Sequence, residues 1–255
     1  MRFAAAVPAD AATGPRGKTN LLSVMTWMLR GLLALGGAAL VVVAWPVANA
    51  ALQQQKADSV LYAMRTGARP VQLDEVEAAI ASLDRAVSFD PVAARRLVRS
   101  ELLAGAALNP NLRVTREQRT QWLREAQGDL ETALANDPAR GVAWTRLAAV
   151  RQALGGPSRA VVAPLMMSLD VAPMLESLWP SRLQLFLDNW QHFTPQERDR
   201  VAAEVAMNWR KSGLRLYFAE AIRSPIDELF VRYFIRNEPG AQEELTKWLV
   251  HLKKK

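Results

Sequence analysis

The sequence holds no cysteine and only two histidines, His192 and His251. The missing cysteines exclude disulfides, a thiolate nucleophile and any thiolate metal site. The two histidines stand 59 residues apart with no companion acid at a recognisable spacing, so both read as surface or capping residues. Strand signals are nearly absent: Val41–Val43 sits inside a long apolar stretch, and Val161-Val162 is too short. No G-x-x-x-x-G-K-[ST], G-x-S-x-G or H-E-x-x-H is found. Asp74, Glu75 and Glu77 open a helical pattern and read as solvated charge favoured by the helix dipole, not as an acid–base pair. These absences predict an all-α chain that is not an enzyme and carries no cofactor.

Charge is missing from Gly31 to Leu52, 22 residues that include nine Leu or Val. A hydrocarbon core of about 30 Å needs roughly 20 apolar residues in a helix, so this stretch predicts a transmembrane anchor. Trp27 and Trp45 are 18 residues apart, about 27 Å along a helix, which suits two interfacial aromatic belts. Arg30 stands where a long cationic side chain reaches headgroups. Arg2, Arg16, Lys18 and Arg30 precede the span against Asp10 alone, whereas Lys56 and Asp58 cancel after it. The positive-inside rule then puts the N-terminus in the cytoplasm and the C-terminal region in the periplasm of an inner (plasma) membrane. The competing reading is a cleaved signal peptide, with Pro46 followed by Ala48-Asn49-Ala50 as the cleavage site; the long region ahead of the apolar core argues against it. Ala34 and Ala38 form a weak small-xxx-small pattern for helix pairing.

Removing the first 52 residues leaves 203, enough for one sizeable core. The net charge is +7, of which the tail supplies +3, leaving about +4 on the exported part. That is a mild bias toward anionic neighbours and no nucleic-acid footprint. The expected organisation is a disordered cytoplasmic tail over 1–30, the anchor over 31–52, a stalk or linker over 53–70 ending in the breaker Thr66-Gly67-Ala68-Arg69-Pro70, a repeat region over 71–174, and a helical C-terminal region over 175–255.

The repeat region shows self-similarity. Ala79, Leu83, Ala86 and Pro91 follow A-x3-L-x2-A-x4-P, and Ala126, Leu130, Ala133 and Pro138 repeat it 47 residues later. Asp90 and Asp137 precede the prolines. A degenerate copy places Leu165, Ser168, Leu169 and Pro173 35 residues after Leu130, Ala133, Leu134 and Pro138. Alanines let a neighbouring helix approach, the larger residue fills the groove between helices, and Asp-Pro stops the helix. The alternative is an ordinary helical bundle whose spacings coincide.

This pattern resembles the tetratricopeptide repeat (TPR), a helix–turn–helix of 34 residues. Trp144, Leu147 and Ala148 match the first-helix signature, Gly155 falls at the turn, and Ala160 matches the small residue of the second helix. Pro164 and Met167 depart from the expected apolar residue and alanine, and the long step implies an insertion near Asn109-Pro110-Asn111. The resemblance implies an α-solenoid of antiparallel helix pairs with a helical C-terminal cap, whose first helices line a concave groove; here that brings forward Val142, Thr145, Ala149 and Gln152. Members that clamp a peptide carboxylate use Lys and Asn there. Thr145 and Ala149 do not support that mode.

Beyond Pro173 the expected helices run Leu175–His192, Pro195–Ser212, Leu214–Arg223, Ile226–Arg236 and Ala241–Leu252, with Trp190, Trp209, Tyr217, Phe218, Phe230, Tyr233, Phe234 and Trp248 as core and capping residues. Arg95, Arg96 and Arg99 share part of a helix face, and Arg113, Arg116, Arg119 and Arg124 follow with Trp122 among them. Behind a membrane anchor these read first as solvated faces and then as contacts for lipid headgroups or acidic polysaccharide, not nucleic acid. The layout is similar to membrane-anchored repeat proteins of bacterial polysaccharide export and synthesis, and to those of cytochrome maturation. The arginine face favours polysaccharide, so the expected function is a non-catalytic scaffold for envelope protein partners, with direct binding of anionic polysaccharide or lipid as the alternative.

Overall fold

The breaker at Thr66–Pro70 divides an unbroken run of helical propensity, and the chain turns there. In the computed structural model, which describes residues 18–211, 213 and 215–252, helix α1 (Lys18–Thr66) ends at Gly67. Gly67 takes φ +66°, the left-handed conformation that costs glycine little, and its N–H donates to the Ala63 carbonyl at 2.9 Å. Ten further α-helices follow: α2 (Leu73–Phe89), α3 (Ala93–Leu108), α4 (Arg116–Asn136), α5 (Gly141–Gly155), α6 (Arg159–Val171), α7 (Trp179–Asp188), α8 (Pro195–Trp209), α9 (Arg215–Glu220), α10 (Pro225–Phe234) and α11 (Ala241–Leu252). Short 3-10 turns flank α7 at Glu176–Leu178 and Trp190–His192. No strand occurs among the described residues, so the chain is all-α as expected.

Two units divide at Ala48/Asn49. In the first, the side chains from Val24 to Trp45 are exposed, and this is one helix long and apolar enough to cross a membrane. Residues 1–17, with Arg2, Asp10 and Arg16, lie outside the described residues. Lys18–Arg30 is helical where a disordered tail was expected: Leu21–Met28 is apolar and joins the same helix.

In the second unit the expected stalk is instead a core helix. Ala57, Val60 and Leu61 are buried in a cluster with Val76, Leu83, Leu102, Leu103, Leu123 and Leu130, and Ala63 is buried as well. The polar appearance of residues 53–65 conceals a one-sided stripe of apolar residues. The alanine and leucine positions of the repeat face inward. Ala79, Leu83, Ala86, Ala126, Leu130 and Ala133 are buried, as are Leu165, Ser168 and Leu169 of the third copy. Each buried leucine contributes about 1.5–3 kcal/mol relative to exposure. The α2 and α4 helices end ahead of Asp90-Pro91 and Asp137-Pro138 as the Asp-Pro rule predicts. At the α5–α6 turn the left-handed residue is Gly156 (φ +77°), one beyond the expected Gly155. A loop at 109–115, containing Asn109-Pro110-Asn111, separates α3 from α4 where the insertion was expected.

Consecutive helices pack from α2 to α6, and alternate helices also touch: α3 with α5, α5 with α7, α7 with α9, α9 with α11. The start of α5 presses on the end of α6. A Cβ on Gly141 would stand 2.4 Å from the Ala172 Cβ, so only glycine admits this approach. Pro164 lies buried inside α6 and withholds a donor from the Ala160 carbonyl. Arg151 of α5 supplies the missing bond, its Nη1 donating to that carbonyl at 3.0 Å.

A second cluster, built on Leu165, Leu169, Trp179, Phe186, Val201, Trp209, Phe218 and Phe234, organises α6 to α11. The C-terminal helices match expectation within a few residues, with Ser212 and Leu214 outside the described set. Of the eight aromatics expected there, Tyr217 and Tyr233 are exposed instead of core, while the rest are buried or packed on the core. Arg182 is fully buried; burial pushes its pKa down to about 10, partly offset by the field of Glu204.

Thr194 opens α8 with a capping box. Its Oγ1 accepts the Glu197 N–H, and Glu197 accepts the Thr194 N–H at 2.8 Å. Arg159 also donates to Glu197 (Nη2–Oε1 2.8 Å), and this bond, ahead of burial acting in reverse, pushes the carboxyl down to about 2. The stabilisation is therefore full above the ordinary value of 4.5 and lost as the pH falls toward 2. A carboxyl NMR titration is expected to place the Glu197 midpoint at about 2, and Arg159→Gln to return it toward 4.5; a midpoint unmoved by the substitution would refute the pairing.

Candidate functional site

α3 touches α5 and α5 touches α7, the end of α1 reaches α3 through Arg65 and Glu101, and two depressions open along these helices. The larger, about 790 Å³, lies between the end of α1, the following turn and the end of α3, with Leu61, Met64, Arg65, Glu101, Gly105 and Leu108 on its walls. Gly105 lets α3 come close to α1 here: a Cβ there would come within 3.2 Å of the Met64 Cε. The second, about 430 Å³, lies between α5, α7 and α9, walled by Ala149, Gln152, Gln184, Asp188 and Tyr217 among others.

Of the four expected groove residues, Val142 is exposed, and Ala149 and Gln152 reach the second depression. Gln152 is engaged: its Nε2 donates to Asp188 at 2.6 Å and its Oε1 accepts from Asn189, tying α5 to α7. Thr145 is a correction. It is buried, with Oγ1 2.6 Å from Ser168 Oγ and donating to the Gly141 carbonyl. The close α5–α6 approach turns this position toward α6 instead of the groove.

A residue that the repeat register did not bring forward is Arg146. It reaches Glu101 at 3.1 Å and the Leu97 carbonyl at 3.3 Å. Arg65 meets the same Glu101 oxygen (Nη2–Oε2 2.8 Å), so one carboxylate on α3 joins α1 to α5. Burial works to raise the Glu101 pKa, but the Arg65 bond and the Arg146 charge outweigh it and hold the carboxyl below its ordinary range. Burial lowers the Arg146 pKa, with Glu101 opposing. Two arginines thus meet on one carboxylate, with Asp58 adding its negative field at Arg65. No sequence signal pairs them: Glu101 and Arg146 are 45 residues apart, off the 47-residue step.

The first arginine cluster is also a correction. Arg95, Arg96 and Arg99 do not form a solvated face. Arg95 pairs with Asp90 at 2.9 Å, Arg96 with Asp129 at 3.2 Å, and Arg99 with Asp129 at 2.7 Å as well as with Asp84 and Glu125. Asp129 is buried, and Arg99 of α3 joins three helices, meeting Asp84 of α2 together with Glu125 and Asp129 of α4.

The second cluster behaves otherwise. Arg113, Arg116, Arg119 and Arg124 are exposed, and none pairs with a carboxylate among the described residues. Arg116 and Arg124 flank a shallow depression of about 610 Å³ that also holds Glu117, Thr120, Gln121 and Glu125. Trp122 is buried and belongs to the core, so it offers no stacking surface beside them. Thr115 starts this helix, its Oγ1 accepting the Gln118 N–H at 3.1 Å.

In the apolar helix Trp27 and Trp45 are exposed, and the Arg30 guanidinium lies 5.9 Å from the Trp27 ring centroid. His192 and His251 are exposed, the latter edge-on to Trp248. Comparison with protein-family models, with curated proteins and with solved structures gave no match.

Asp129→Asn is expected to cost about 3 kcal/mol, because it leaves two buried-side guanidiniums short of their shared charge. Asp137→Asn, whose partner Arg140 is exposed, is expected to cost under about 1 kcal/mol. Urea unfolding followed by circular dichroism compares them; equal losses would refute the central role of Asp129.

Proposed function

We propose that this protein is a single-pass, membrane-anchored scaffold whose TPR-like α-solenoid faces the periplasm and holds envelope protein partners along its first-helix row. Alternate-helix packing from α3 to α11 carries the reading, since stacked helix pairs bring every second helix side by side. The start of α5 against the end of α6 supports antiparallel pairing. Stacking in this way leaves a row with two depressions, Val142 and Leu108 exposed on it, and an ion-paired ridge at Arg65–Glu101–Arg146. An apolar, uncharged helix with tryptophans near both ends supports the anchor. Polysaccharide synthesis or export is the envelope process favoured, because the exposed arginines suit acidic glycans.

A photo-crosslinking amino acid at Val142 or Leu108 is expected to capture an envelope protein in cells, whereas the same group at Ala163 on α6 is not. A tag after Lys255 is expected to be reachable from the periplasmic side only. Capture equal at all three positions, or a tag facing the cytoplasm, would overturn the scaffold reading.

The alternative function is direct binding of anionic polysaccharide or lipid through Arg113, Arg116, Arg119 and Arg124, favoured by their freedom from carboxylate partners. Binding of this kind weakens with salt. Replacing Arg113, Arg116 and Arg119 with alanine is expected to abolish retention on an immobilised acidic glycan; unchanged retention would rule out this face.

A further inference from the structure

Ile226 and Leu229 are the two most exposed large apolar side chains described in Asn49–Lys255, at 64% and 68%. They stand one turn apart on α10, and Tyr233, half exposed, continues the stripe. Beside them a groove of about 600 Å³ runs between α8 and α10, floored by Trp190, Ala202 and Phe230. The stripe is held rigidly. Ser224, Pro225 and Asp227 cap α10, and Trp190 packs on Phe230 and Phe234 with centroids 5.4 and 5.0 Å apart.

The charges around it are mostly arginine without a carboxylate partner. Arg198 donates to the Trp190 and Gln191 carbonyls and lies 5.5 Å from the Trp190 centroid. Arg236 stacks 3.9 Å over the Tyr233 ring and donates to the Tyr233 carbonyl. Arg223 is exposed just ahead of α10. Among the acids, Glu228 is paired with Arg232, which leaves Asp199 and Asp227, the latter accepting from the Arg223 and Ser224 backbone N–H groups. Three cations against two anions surround a protruding aliphatic and tyrosine stripe.

We propose that this face of α8 and α10 is a second membrane contact, inserting Ile226, Leu229 and Tyr233 at the headgroup boundary of an anionic bilayer. The composition is that of an interfacial surface: aliphatic tips enter the acyl boundary, tyrosine sits at headgroup depth, and arginines meet lipid phosphate. The inference rests on the anchored reading, because a chain already held in a bilayer meets that surface at high effective concentration and needs only modest intrinsic affinity.

The absence of cysteine makes each introduced thiol a unique labelling site. The full chain carrying Leu229→Cys or Val42→Cys is spin-labelled and reconstituted in vesicles of phosphatidylcholine alone and of phosphatidylcholine with phosphatidylglycerol in equal parts. Accessibility is read with oxygen against an aqueous nickel chelate. The expected result is a lipid-facing label at 42 in both vesicles, and a label at 229 that turns lipid-facing in the anionic vesicles. Arg236→Glu is expected to lower the docked fraction at 229 by about tenfold, since each basic residue near such a surface contributes about 1 kcal/mol and reversal removes more. A label at 229 open to nickel in both vesicles, with 42 in lipid, overturns the second contact and leaves the anchor standing. A label at 42 open to nickel overturns the anchor and the second contact together. Spin–spin broadening at 229, or equal protection in detergent, assigns the face to a protein partner or second copy and overturns the inference.

Discussion

Close approach between helices at small residues is the constraint on which the repeat region depends. Ala79, Ala86, Ala126 and Ala133 are buried with the leucines between them, and Gly141 stands where even a methyl group would collide with Ala172. Such proximity brings hydroxyls and charges within bonding range across helices, as with Thr145 and Ser168, or Asp129 and its arginines. Larger side chains at the alanines would hold the helices apart and dissolve these polar contacts along with the apolar packing.

Electrostatics follows from the same geometry. A basic chain suggests a broad cationic surface, yet many of its arginines are consumed within the fold. Arg95, Arg96, Arg99, Arg146, Arg151 and Arg159 each bind a carboxylate or carbonyl on another segment. What remains for partners is set by which guanidiniums lack such bonds, and that is a property of packing instead of composition. The exposed set at Arg113–Arg124 is left over in this sense, and the three around α10 lack carboxylate partners.

Much of the helical architecture was legible in the sequence because its signals are local. Thr194-Pro195 and Ser224-Pro225 are capping signals, Asp-Pro stops are chain chemistry, and the A-x3-L-x2-A spacing marks one buried face. The groove was only partly legible. Val142 is exposed and Ala149 and Gln152 line a depression, but the direction of Thr145 depends on how tightly α6 approaches. The stalk was misread for a related reason: four apolar residues among polar ones at 53–65 give a faint stripe, and their burial is decided by α2 and α3. Pairings such as Arg65 with Glu101 join residues 36 apart, and no short-range rule anticipates them.

Pro164 illustrates how a degenerate repeat survives. The proline orphans the Ala160 carbonyl in the first turn of α6, and the Arg151 guanidinium, nine positions earlier in sequence, answers it from the adjacent helix. Neither residue is interpretable by itself: the proline looks like a defect and the arginine like ordinary surface charge. Together they make one composite unit, so α6 accommodates its internal proline only while α5 stays close enough to lend it a donor.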